Sequence, residues 1–124
     1  MKKLFISCPM RGRTPEAIKA SIEKMHKIAE ATVGEELEII PTYLEGAEYK
    51  DRPIACLGES IKRMQEADYF IGVRENYEFA GCCIEDDVAS RYGISRILVN
   101  TRHVAPDCLK QDTVANACDC SDKN

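Results

Sequence analysis

Four short apolar runs divide the chain: Leu4–Ile6, Leu37–Pro41, Tyr69–Val73 and Arg96–Asn100. The segments between them carry helical periodicity. Ile18, Ile22, Met25, Ile28 and Ala29 recur on one helical face. They follow Thr14-Pro15-Glu16, which reads as a cap, a proline at the first helical position and an acid in the first turn. That helix is expected to run to about Thr32 and stop at Gly34. A second helix is expected over 54–66, with Leu57, Ile61 and Met64 on one face. A third is expected over 81–92, ended by Gly93. Strands that alternate with helices predict a parallel sheet joined by right-handed crossovers. Tyr69–Val73 is apolar almost throughout, as a strand buried on both faces should be.

The fold class that follows is α/β: a flavodoxin-like (Rossmann-like) three-layer sandwich with a parallel sheet of at least four strands in the order 2-1-3-4. That order reverses direction between the first and third strands, and ligands bind outside the carboxyl ends at such a switch point. Two loops are therefore expected to form the site, one over 7–13 and one over 74–81. A domain over 1–105 is expected, followed by a mobile C-terminal extension over 106–124. A short helix is expected near Leu109–Ala117.

Glu85 is the leading candidate for chemistry. It lies in the first turns of the helix that leaves the second of these loops, where backbone dipoles should hold a carboxylate ionised. There it can act as nucleophile or general base. Acidic residues are also common in first turns, as the adjacent Asp86 and Asp87 show. In the first loop, Ser7, Cys8, Pro9, Met10, Arg11 and Gly12 can present backbone N–H groups. Arg11 or Arg13 can hold a phosphate or a sugar hydroxyl. This loop is neither a P-loop nor a dinucleotide fingerprint. Asp68 falls at the opposite, amino edge and reads as a capping residue. Tyr43 and Tyr49 can stack on a flat ring or cover the sheet edge.

The net charge of −4 argues against a nucleic-acid backbone partner. No apolar run approaches the ~20 residues of a membrane span. The apolar stretch after Lys2 and Lys3 is too short for a signal peptide. A cytoplasmic protein is expected, with no membrane partner. Seven cysteines, an odd number, do not suggest a disulfide framework. Cys8 and Cys56 read as small, semi-buried residues, and Cys82-Cys83 as thiols at a helix start, where a pKa can fall. Cys118 and Cys120 have the wrong spacing for zinc, and neither His26 nor His103 complements them. No metal or other cofactor is implied.

Phe5-Ile6-Ser7-Cys8-Pro9-Met10-Arg11-Gly12 resembles the opening motif, (Y)-x-S-G-P-M-x-G, of nucleoside 2-deoxyribosyltransferase-like proteins. Ala67-Asp68 before an apolar strand resembles the rest of that pattern. So does Gly81-x-x-x-Glu85-x-x-x-Ala89 with Tyr92-Gly93-Ile94 after it. The resemblance covers roughly residues 3–100 and is strongest to short members of the DUF4406 type. It implies a flavodoxin-like fold and a small-molecule nucleoside or nucleotide ligand. It also implies a homodimer or higher homo-oligomer, in which Asn100 or the segment after it reaches a neighbouring subunit. By the same resemblance, Glu85 attacks the anomeric carbon of a deoxyribose and forms a covalent glycosyl-enzyme. A second base or water then releases it, as in retaining glycosyl transfer.

The chain departs from that pattern at four places. The first-strand tyrosine is Phe5, and the aspartate eight positions before Asp68 is Ser60. The polar residue six before the nucleophile is Phe79, and the glycine of the opening motif is Cys8. With Gly81 and Cys82 at the helix start, Ser60 and Phe79 complete the expected ligand-binding set. Two functions stay open: N-glycosidic bond cleavage or deoxyribosyl transfer through Glu85, and nucleotide binding without turnover in the same pocket. Cysteine-based redox or metal chemistry is a third.

Overall fold

The structure, a computed structural model, describes residues 1–41, 52–76 and 78–111. Strands β1 (Lys3–Ile6), β2 (Glu38–Ile39), β3 (Tyr69–Val73) and β4 (Ser95–Val99) form a parallel sheet ordered β2-β1-β3-β4. Helices α1 (Pro15–Val33), α2 (Pro53–Arg63), α3 (Ala80–Arg91) and the single turn α4 (Thr101–Val104) alternate with the strands. Short 3₁₀ turns follow α2 (Met64–Glu66) and α4 (Pro106–Gln111). This is the flavodoxin-like α/β arrangement, with the reversal of strand order between β1 and β3. No helix among the described residues is long and apolar enough to cross a membrane.

The local signals act as expected in α1. The Thr14 hydroxyl accepts from Ala17 N at 3.1 Å. Gly34 closes the helix at φ 80°, a conformation that glycine adopts without a Cβ penalty. Elsewhere the bounds shift. The second strand, expected over Leu37–Pro41, pairs only over Glu38–Ile39. Ile40 N still donates to Leu4 O at 2.9 Å, but Pro41 has no N–H to carry the ladder on. The segment that follows β4 forms the single turn α4. The Asn100 carboxamide oxygen caps it by accepting from Arg102 N at 2.9 Å. The C-terminal extension opens with the 3₁₀ turn over Pro106–Gln111. The rest of the helix expected near 109–117 lies outside the described residues, as do Cys118, Cys120, Tyr43 and Tyr49.

Strand alternation splits the core in two. Leu4, Ile6, Ile71 and Val73 face α1 and α4, where Ile18, Met25, Ala29, Val104 and Ala105 cover them. Phe5 and Phe70 face the other way and pack with Ile40, Met64 and Ala89 under α2 and α3. Phe5 and Phe70 are register partners, and their rings stack with centroids 5.8 Å apart. At the amino edge, Asp68 Oδ2 accepts from Lys3 N at 2.8 Å, which places Asp68 far from the switch point.

Gly72 shares a face with Phe70. A Cβ there would stand 2.8 Å from Phe70 Cε1 and 3.7 Å from Ser7 Cβ. The ring cannot withdraw, because Phe5 lies stacked against it. Gly72→Ala is therefore expected to cost about 1–3 kcal/mol through overpacking. A thermal melt checks this, and an unchanged Tm would mean that the ring has room to move.

Candidate functional site

The site begins where β1 ends. Ser7 N donates to Ile71 O at 2.8 Å, which extends the sheet one residue past the strand. Two residues on from Phe5, the Ser7 side chain points to the same face, toward α3. On α3, Cys82, Glu85 and Ala89 are the buried positions, spaced to share the face that meets the sheet. Ala89 joins the Phe5–Phe70 cluster, which leaves Cys82 and Glu85 nearer the carboxyl edge. Ser7 Oγ then donates to Glu85 Oε1 at 2.7 Å, between residues 78 apart in sequence.

Glu85 is 9% exposed as a residue, and Ser7 1%. Burial pushes the Glu85 pKa up from 4.5 to about 7, and the Ser7 hydrogen bond offsets part of that rise. The expectation of a carboxylate held ionised by the helix is thereby corrected. The α3 helix starts at Ala80, so Glu85 sits beyond the first turn, where the dipole is felt most. Desolvation wins. Oε2 has no hydrogen-bond partner among the described residues, yet it is not among their fully buried, unpartnered atoms. One oxygen is held and the other is available.

Comparison with models of known families, with curated proteins and with solved structures finds no match to this chain.

The loop over 7–13 lies beside Glu85, but its side chains go different ways. Cys8 packs into the core on the α1 side, and Pro9 is fully buried. Met10 is half-buried against the same core. Arg13 N donates to Met10 O at 3.2 Å and closes a turn, in which Gly12 takes φ 76°. Arg11 is exposed, and its Nη2 donates to Glu78 O at 3.0 Å, bridging the two site loops. Arg13 does not extend into solvent as a ligand group would. Its fork is bidentate to Asp107, with both distances 2.7 Å, and it also donates to Pro9 O, Ala17 O and Ser21 Oγ.

Of the remaining candidates, Phe79 is half-buried and precedes α3 without capping it through its side chain. Gly81 lies in the first turn of α3, facing Leu57 of α2. Ser60 is half-buried on α2. Cys82 sits one turn before Glu85, but burial pushes its thiol up to about 12, against the lowered value expected at a helix start. Cys8, expected to be semi-buried, is buried, and its thiol is likewise pushed up to about 11. Neither is an activated nucleophile. Among the described residues no three His, Cys, Asp or Glu side chains gather to hold a metal ion.

Sequence reading named Ser7 as a loop residue but missed its contact with Glu85. The signal was there: period-two alternation from Phe5 puts Ser7 on the α3 face, and Gly72 leaves room beside it. Asp107 was missed altogether, because nothing local in the sequence links it to Arg13.

Proposed function

We propose that this protein cleaves or exchanges the N-glycosidic bond of a deoxyribonucleoside or its 5′-monophosphate, with Glu85 as nucleophile. The supporting observation is the buried carboxyl at the switch point, with Ser7 on one oxygen and the other open. In this reading Oε2 attacks the anomeric carbon as the C–N bond breaks. The base leaves with the bonding electron pair and is protonated from solvent. Water, or a second base, then attacks the same carbon and frees the carboxylate, giving overall retention. Ser7 favours the ionised form that attacks. Phe5 has no hydroxyl where the resembling family has a tyrosine, and Ser7, two residues on, supplies one to the carboxyl.

The test is a panel of deoxyribonucleosides and their 5′-monophosphates, with free base followed by chromatography beside Glu85→Ala. Base release by the wild type that vanishes in the variant is the expected result. Release that persists in Glu85→Ala removes the nucleophile from this account. Ser7→Ala is expected to raise the Glu85 pKa further and lower the rate at pH 7 by roughly 10-fold or more. The pH–rate curve should move to higher pH, and an unmoved curve would separate Ser7 from the ionisation of Glu85.

A second reading, nucleotide binding without turnover, is favoured by Phe5 itself. It is fully buried and stacked on Phe70, so it offers the site no polar group. A thermal shift with one ligand and no base release would select it.

A further inference from the structure

We propose that Arg13 and Asp107 are positioning residues for the ligand loop: their ion pair sets the orientation of the Pro9–Met10 peptide. The part of this proposal that concerns ligand affinity rests on the reading above.

The Arg13 side chain is 3% exposed. Asp107 comes from the 3₁₀ turn after α4, 94 residues away, and occupies Nε and Nη2 together. This fork geometry is available to arginine and not to lysine. With the fork fixed from one side, Nη1 reaches Pro9 O at 2.7 Å, while Nη2 reaches Ser21 Oγ at 2.6 Å and Ala17 O at 3.3 Å on α1. Ser21 is held in turn, donating to Val104 O at 2.8 Å. The loop, α1 and the C-terminal segment therefore meet at one guanidinium.

The consequence for the loop follows from peptide geometry. No peptide bond among the described residues is cis, so the Pro9 carbonyl and the Met10 N–H point in opposite directions. The carbonyl points to Arg13 on the α1 side. The Met10 N–H therefore points away from Arg13. The N–H groups of Met10, Arg11 and Gly12 have no hydrogen-bond partner among the described residues. They are available to acceptor oxygens of a ligand, and Arg13 determines how the first of them is presented. Asp107 reaches the loop through the Arg13 fork.

Asp107→Asn and Arg13→Lys test this, each measured below its own Tm. Without ligand, trypsin cleavage after Arg11 is expected to quicken at least fivefold in both variants. Cleavage after Arg91, at the end of α3, should serve as an unchanged control. With the best deoxyribonucleoside 5′-monophosphate of the panel, KM or Kd is expected to rise about 10-fold or more, with kcat within threefold and the Glu85 pH profile unmoved. Asp107→Glu, which keeps the charge, should recover part of the loss. A general loss of folding would instead lower kcat and speed cleavage at both sites. Unchanged cleavage after Arg11, or an unchanged KM in a loosened loop, overturns the proposal. If the wild type neither binds nor cleaves any of these probes, the nucleotide reading fails, and the trypsin comparison alone decides whether the clamp exists.

Discussion

At pH 8, Glu85→Gln is expected to resist denaturant better than the wild type by roughly 3 kcal/mol, and at pH 4 to show no such advantage. Folded Glu85 gives up its proton at about pH 7, against 4.5 for the ordinary side chain. Between those values the native state binds more protons than the unfolded chain, so wild-type stability falls as pH rises through this window. Above about pH 7 the loss is complete, because the carboxylate is then ionised in both states. Glutamine keeps the shape and can still accept from Ser7, but it has no proton to lose. Urea unfolding of both proteins from pH 4 to 8 checks this. Parallel curves across that range would mean that the carboxyl is not desolvated as described.

The same substitution tests the chemistry by an independent readout. Removing the attacking oxygen of a covalent mechanism is expected to lower turnover by ~10⁴-fold or more. The wild-type rate should rise with pH through about 7, as Glu85 ionises. Stability and activity thus move in opposite directions with pH for one reason: the burial that raises the carboxyl pKa works against the form that reacts.

Phe70→Ala is expected to cost about 3–5 kcal/mol, the second large effect. The ring is fully buried, stacked on Phe5, and packed with Ile40, Met64 and Ala89. Its edge also fills the space that Gly72 leaves open. Nothing nearby can collapse into the hole without disturbing the strand that carries Ser7. Denaturant unfolding at pH 5 keeps the Glu85 effect small and isolates the cavity. A loss below about 1 kcal/mol would contradict the packing described here.

Much of this architecture was legible before any tertiary contact was known. The apolar runs and the helical period between them predict alternating strands and helices, and alternation predicts the parallel sheet. Thr14-Pro15 and Gly34 mark α1 because capping is local chemistry. Glu85 could be placed beside the 7–13 loop from strand order alone. Shorter-range errors also have local causes, such as the early end of β2 at Pro41. The turn after β4 was missed because Asn100 supplies its cap at the very end of an apolar run.

Local signals are enough to set the order of elements, the sheet they build and the edge at which Glu85 stands. These follow from periodicity and capping, which act over a few residues. Packing between distant segments is what lets Ser7 hold Glu85 across 78 residues and Asp107 hold Arg13 across 94. The same packing buries the Glu85 carboxyl and pushes its pKa up, where a helix N-terminus alone would lower it. Hydrogen bonds between distant segments, and the water they displace, depend on which faces meet. That is settled only when the sheet and its helices have packed together.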